Sequence, residues 1–161
     1  MKVQAGAVLA KNRFFWKWNN GATTTLAELG DPTLTTAYAL CLYGSEAGVV
    51  QLLSAANIPA AAQCGGEPCW KRLSDKGFRY KDLIGAFGGV QKIILKSGDT
   101  GKAKALVKSR GDQIEMPPIP IPQEPSVVVQ LVNGEGQCWD AAYTAPADGN
   151  DIRGFRDRTP P

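Results

Sequence analysis

The stretch Ser126-Val127-Val128-Val129-Gln130-Leu131-Val132-Asn133-Gly134-Glu135-Gly136-Gln137-Cys138-Trp139-Asp140-Ala141-Ala142-Tyr143-Thr144 is two extended runs joined by a turn. Valine is stiff at χ1 and packs well on a pleated surface, so 126–132 is the most apolar strand signal in the chain. Asn133-Gly134-Glu135-Gly136 supplies residues that tolerate positive φ, and the chain reverses there into 137–144. The reading is a β-hairpin, expected at the centre of its sheet.

Upstream, the same two-residue period recurs between turn signals. Phe14, Trp16 and Trp18 alternate with Phe15 and Lys17, which predicts a strand with a buried aromatic side, ended by Asn19-Asn20-Gly21. Thr36, Tyr38, Leu40 and Leu42 share one side of a strand over 35–43, with Cys41 on the other, and 48–53 completes a hairpin. Shorter strands are expected at 69–73, 77–81 and 90–96. Ser97-Gly98-Asp99-Thr100-Gly101 turns the last of these into 102–108, where Ala103, Ala105 and Val107 alternate with lysines; a hairpin with a wet, lysine-bearing face follows. Ala, Lys and Leu also favour helix, but the alternation favours strand. The prolines of 116–122 lack donors and make that segment an extended connector with buried isoleucines. The chain has 18 glycines and 11 prolines, too many breakers for long helices. The fold expected is all-β, a two-sheet antiparallel sandwich of eight or nine strands with jelly-roll or immunoglobulin-like wiring.

One domain is expected from 161 residues, divided as a leading strand or donated segment over 1–11, the sandwich over 12–145 and a loosely held polar tail over 146–161. No run reaches the ~20 apolar residues that span a bilayer. The start lacks the apolar region and cleavage site of a signal peptide, which is therefore absent or already removed. The formal charge is +3, with Lys and Arg scattered along the chain, so neither nucleic acid nor membrane insertion is expected.

Cys41, Cys64, Cys69 and Cys138 are an even set in a chain without histidine. Gly65-Gly66-Glu67-Pro68 forms a turn that brings Cys64 to Cys69, leaving Cys41 to pair with Cys138. Four buried free thiols, and a zinc site lacking its usual Cys-x2-Cys knuckles, are the competing readings. In the chain-entropy model the long bridge would contribute about 4–5 kcal/mol and the short one about 2. Two disulfides imply an oxidising compartment, hence a secreted or cell-surface protein.

The absence of histidine removes the commonest general base and metal ligand. No Gly-x-Ser-x-Gly elbow exists, and Gly98-Asp99-Thr100-Gly101-Lys102 has the wrong spacing for a phosphate loop. Asp31, Glu67, Asp82, Glu135 and Asp140 fall in or beside turns, where acids act as caps. Asp148, Asn150 and Asp151 offer oxygen ligands but match no calcium loop. The expectation is no enzyme, no cofactor and no metal, with a small carboxylate hydrolase as a distant third reading.

Trp16-Lys17-Trp18, Gly30-Asp31-Pro32, Tyr38-Ala39-Leu40-Cys41-Leu42-Tyr43, the segment 64–70, Gly77-Phe78-Arg79-Tyr80-Lys81-Asp82, Gly101-Lys102-Ala103-Lys104, Val129-Gln130-Leu131 and Cys138-Trp139 occur in this order. Taken together they resemble a β-rich module found near the C-termini of uncharacterised secreted proteins of environmental bacteria. That resemblance implies secretion and a β-rich fold and carries over no catalytic residue.

Binding is then the expected role. A non-catalytic extracellular module, structural or adhesive and self-assembling, ranks first, with itself or another surface protein as partner. Val3, Ala5, Ala7 and Leu9 at period two are the candidate donated strand. Glycan binding through exposed aromatics is the alternative, with Trp70, flanked by Lys71 and Arg72 beside the small disulfide loop, as the leading contact.

Overall fold

Turn residues cut the chain into fourteen strands among the residues described by the computed structural model, 1–19 and 21–158. They are β1 (Lys2–Gln4), β2 (Arg13–Asn19), β3 (Tyr38–Glu46), β4 (Val49–Ile58), β5 (Gln63–Cys64), β6 (Glu67–Pro68), β7 (Trp70–Arg72), β8 (Gly77–Lys81), β9 (Val90–Lys96), β10 (Lys104–Arg110), β11 (Ser126–Asn133), β12 (Cys138–Thr144), β13 (Gly149–Asp151) and β14 (Gly154–Arg156). The count exceeds the eight or nine expected because short strands bracket the disulfide loop and occupy both chain ends.

An eight-stranded sheet runs β13-β14-β1-β2-β10-β9-β8-β7, a four-stranded sheet runs β12-β11-β3-β4, and β5-β6 form a two-stranded ribbon. The strand pairings are antiparallel, as expected of an all-β, sandwich-like fold. The alternation read from the sequence sets the inner faces: Phe14, Trp16, Val107, Ile93, Leu95 and Tyr80 from the large sheet share one buried cluster with Tyr38, Leu40, Leu42, Val129, Leu131 and Tyr143 from the small one.

The aromatic side of β2, the lysine-bearing hairpin β9–β10 and the hairpin β11–β12 all form. The last is not wholly central: β11 is internal, but β12 is an edge strand. The turn at Asn19-Asn20-Gly21 involves Asn20, outside the described residues. The connector buries Ile121 and bridges Ser45 to Gln123.

Two expectations about the chain ends are corrected. The segment 1–11 is not an extended strand throughout: β1 stops at Gln4, and Leu9–Lys11 wind into a 3₁₀ turn that returns the chain to β2. β1 pairs with β2 on one side and β14 on the other, so Val3 is buried in its own sheet while Ala5, Ala7 and Leu9 are exposed. The expected loose tail also carries sheet. β13 and β14 pair over 149–156, Phe155 is buried, and it meets Tyr143 edge-on at 6.4 Å across the sheets. Phe155 anchors the segment to the core, and Asn150 and the β1–β14 pairing tie its backbone down. The end at 159–161 lies outside the described residues.

Replacing Phe155 with Ala should therefore cost about 3 kcal/mol or more, read as a lowered urea midpoint at unchanged m-value. A midpoint that does not move would mean the segment is a dangling end.

Candidate functional site

Antiparallel register places the outward residues of the eight-stranded sheet in four rows. Strands lie about 4.8 Å apart and same-face residues about 7 Å apart along each strand. The first row runs Gly77, Lys96, Lys104, Asn19; the second Lys71, Arg79, Ile94, Leu106, Lys17. In the third stand Lys81, Lys92, Lys108, Phe15, Lys2 and Arg156, and in the fourth Arg110, Arg13, Gln4, Gly154 and Asp151. Of the 18 Lys and Arg residues in the chain, twelve are in these rows, and Asp151 at the far edge is the one carboxylate among them.

Six pairs of cations are directly opposed: Lys81 with Lys92, Lys92 with Lys108, Lys96 with Lys104, Lys71 with Arg79, Arg13 with Arg110, and Lys2 with Arg156. Like charges directly across a sheet destabilise it. The ion pairs Lys102–Asp99, Arg153–Asp151 and Arg158–Asp148 lie beyond this face or at its rim. Phe15 sits within the third row, under the Lys108 ammonium at 5.5 Å. The charges that looked scattered in sequence are thus gathered on one surface. Period two sent each intervening apolar residue inward, and the cations had only the outer face left.

At the β7 edge this face borders a cleft of about 450 Å³ walled by the Cys64–Cys69 loop, Lys71, Arg79, Lys81, Leu83 and Ile84. The expected short disulfide is present, with Cα atoms 5.2 Å apart. It anchors the strand edge, since Lys81 N–H donates to the Cys69 carbonyl at 2.9 Å.

The other expected bridge does not form, and Cys41 and Cys138 are free. β11 lies between their strands, a separation of about 10 Å that exceeds disulfide reach. Burial pushes the Cys138 thiol above its ordinary pKa, and Asp140 adds to the shift.

The leading aromatic contact is corrected as well. Trp70 is 2% exposed, its Nε1–H donates to the Pro59 carbonyl at 3.1 Å, and its ring packs between Tyr38 and Tyr80. Its neighbours part company: Lys71 stands in the second row, whereas Arg72 lies over Phe78 and donates to the Ser74 carbonyl. Trp16 and Trp139 are buried, and Trp18 is half-buried and packs on the core.

Asp31 and Asp82 cap their own turns, and Glu135 ties its turn to a distant loop. Asp31 accepts from Thr33 N–H, Asp82 from the amides of Ile84 and Ala86, and Glu135 from the Thr36 hydroxyl. Burial, with Asp82 nearby, raises the Tyr80 phenol well above its usual range. Asn150 bonds the backbone of Ile121 in both directions. Among the described residues no group of three or more potential ligands is clustered to hold a metal, and no helix is long and apolar enough to cross a membrane. Comparison with protein families, curated proteins and solved structures finds no match to this chain.

Alkylation of the folded protein should label two cysteines, Cys41 and Cys138, the latter slowly because its thiol resists ionisation. Reduction before alkylation should raise the count to four. Four labels without reduction would remove the bridge and, with it, the argument for an oxidising compartment.

Proposed function

We propose that this chain is a non-catalytic adhesive module of the cell exterior that docks its eight-stranded face on an anionic surface. The row of opposed cations carries the reading. Six like-charged pairs are a liability to the isolated fold, and an anionic partner laid across them offsets the repulsion. The Cys64–Cys69 bridge supports an oxidising location. The lack of histidine and the use of acids as loop caps support a binding role over catalysis. Buried tryptophans disfavour stacking on neutral sugar rings, so acidic polymers are the carbohydrate form of this reading.

Lys92→Glu separates the two sides of the argument. A carboxylate between Lys81 and Lys108 should stabilise the fold by about 0.5 kcal/mol or more in chemical denaturation. The same change should weaken retention on an immobilised sulfated polymer several-fold, and rising salt should release the wild type. Wild-type protein that passes a sulfated column at low salt, or a variant retained as strongly as wild type, overturns the proposal.

A second reading, self-assembly, is favoured by one observation. β4 is an edge strand whose Val49, Val50 and Leu52 are exposed, the kind of edge that accepts a strand from a second copy. Light scattering at rising concentration should then show oligomers that Val50→Lys reduces to monomer. A wild type that stays monomeric at the highest concentrations removes this reading.

A further inference from the structure

Strand direction decides which connections emerge together. β1, β8, β10 and β13 all run toward the fourth row, and β2, β9 and β14 run back from it. The connections 5–12, 82–89 and 152–153 therefore leave the large sheet at one end, spread over about five strand spacings, or about 24 Å. Each carries bare aliphatic side chains at its tip. Val8 and Leu9 are 56% and 67% exposed, Leu83 and Ile84 are both 76%, and Ile152 is 83%. Loop tips are ordinarily polar, and five large aliphatics on one end call for a partner that takes them out of water.

These tips are clamped in place. Gly6 N–H donates to the Asn12 side chain at 3.0 Å, Ala5 N–H to the Arg153 carbonyl at 3.3 Å, and Arg153 N–H to Asp151 at 2.8 Å. Asp82 receives the amides of Ile84 at 2.9 Å and Ala86 at 2.7 Å, and Gln91 bonds the Leu83 carbonyl at 3.1 Å. The exposed display is thus built into the loops.

Charge surrounds the tips. Seven of the twelve cations stand in the two rows nearest this end, and Lys11 and Arg153 lie in the loops themselves. The acids at this end are Asp151, paired with Arg153 at 2.8 Å, Asp82, held by its amides, Asp112, Glu115, which accepts from Ala55 N–H, and Glu67, which faces Lys71, Arg79 and Lys81 in the cleft that Leu83 and Ile84 also line. Asp75 and Asp99 sit in turns at the opposite end. Aliphatic tips ringed by cations match a bilayer with anionic headgroups, whose interior takes the tips while its phosphates meet the rows. A soluble acidic polymer would meet the cations and leave the tips in water.

Resting on the docking role proposed above, we infer that the anionic surface is a lipid bilayer, entered by Leu83 and Ile84 with Val8, Leu9 and Ile152 alongside. Flotation of the whole chain with phosphatidylcholine vesicles, with and without phosphatidylglycerol, tests it. Binding is expected only to the anionic vesicles. The double variant Leu83→Ser, Ile84→Ser should lose about tenfold in vesicle binding while its retention on a sulfated polymer stays unchanged. Leu83→Trp should shift to bluer emission and become shielded from aqueous quencher on anionic vesicles alone. Sulfated-polymer binding without vesicle binding, or a double variant that floats like wild type, overturns this inference and leaves the docking role standing. Failure on both supports overturns the docking role itself.

Discussion

The aromatic contact between the sheets is what the remaining structure hangs from. Tyr38 on β3 lies 5.6 Å from Trp70 on β7 and 6.2 Å from Trp139 on β12, and Trp70 meets Tyr80 on β8 at 5.0 Å. These large side chains must leave water together, and each can do so only by facing the opposite sheet. Their polar atoms find partners within the same layer, Tyr38 O–H on the Leu29 carbonyl and Trp139 Nε1–H on Thr24. Once one residue of a strand is committed inward, its neighbours are committed outward, because successive Cβ atoms point to opposite faces.

The basic surface follows from that commitment. In β8, β9 and β10 the inward residues are Phe78, Tyr80, Ile93, Leu95, Ala105 and Val107, and between them stand Arg79, Lys92, Lys96, Lys104 and Lys108. The pairing register then sets cation against cation. Hairpin folds often place opposite charges across such rows, and this one does not. The cost falls on stability and the benefit on affinity for an anion, so the face trades one for the other.

Much of the fold was readable because its signals are local. Period-two runs with valine, isoleucine and aromatics marked β2, β3, β9, β10 and β11, and glycine-rich turns marked their ends. Gly65-Gly66 between two cysteines announced a bridge that needs no distant partner. The errors came from long-range relations. Cys41 and Cys138 each look paired when counted, but pairing depends on which strand lies between them. Trp70 looked exposed beside Lys71 and Arg72, whereas the chain at Pro59, eleven residues upstream, closes over it and accepts its indole hydrogen. The C-terminal segment looked polar because one buried phenylalanine weighs little in composition and much in packing.

Local chemistry alone determined the strand-rich, hairpin-built character, the small disulfide and the turn roles of Asp31 and Asp82, since each depends on residues within a few positions of one another. The gathering of twelve cations on one face, the alignment of three aliphatic loop tips at one end and the separation of the two free thiols were decided only by tertiary structure. Those features depend on strand order and register, which join residues far apart in the chain through backbone hydrogen bonds indifferent to side-chain identity.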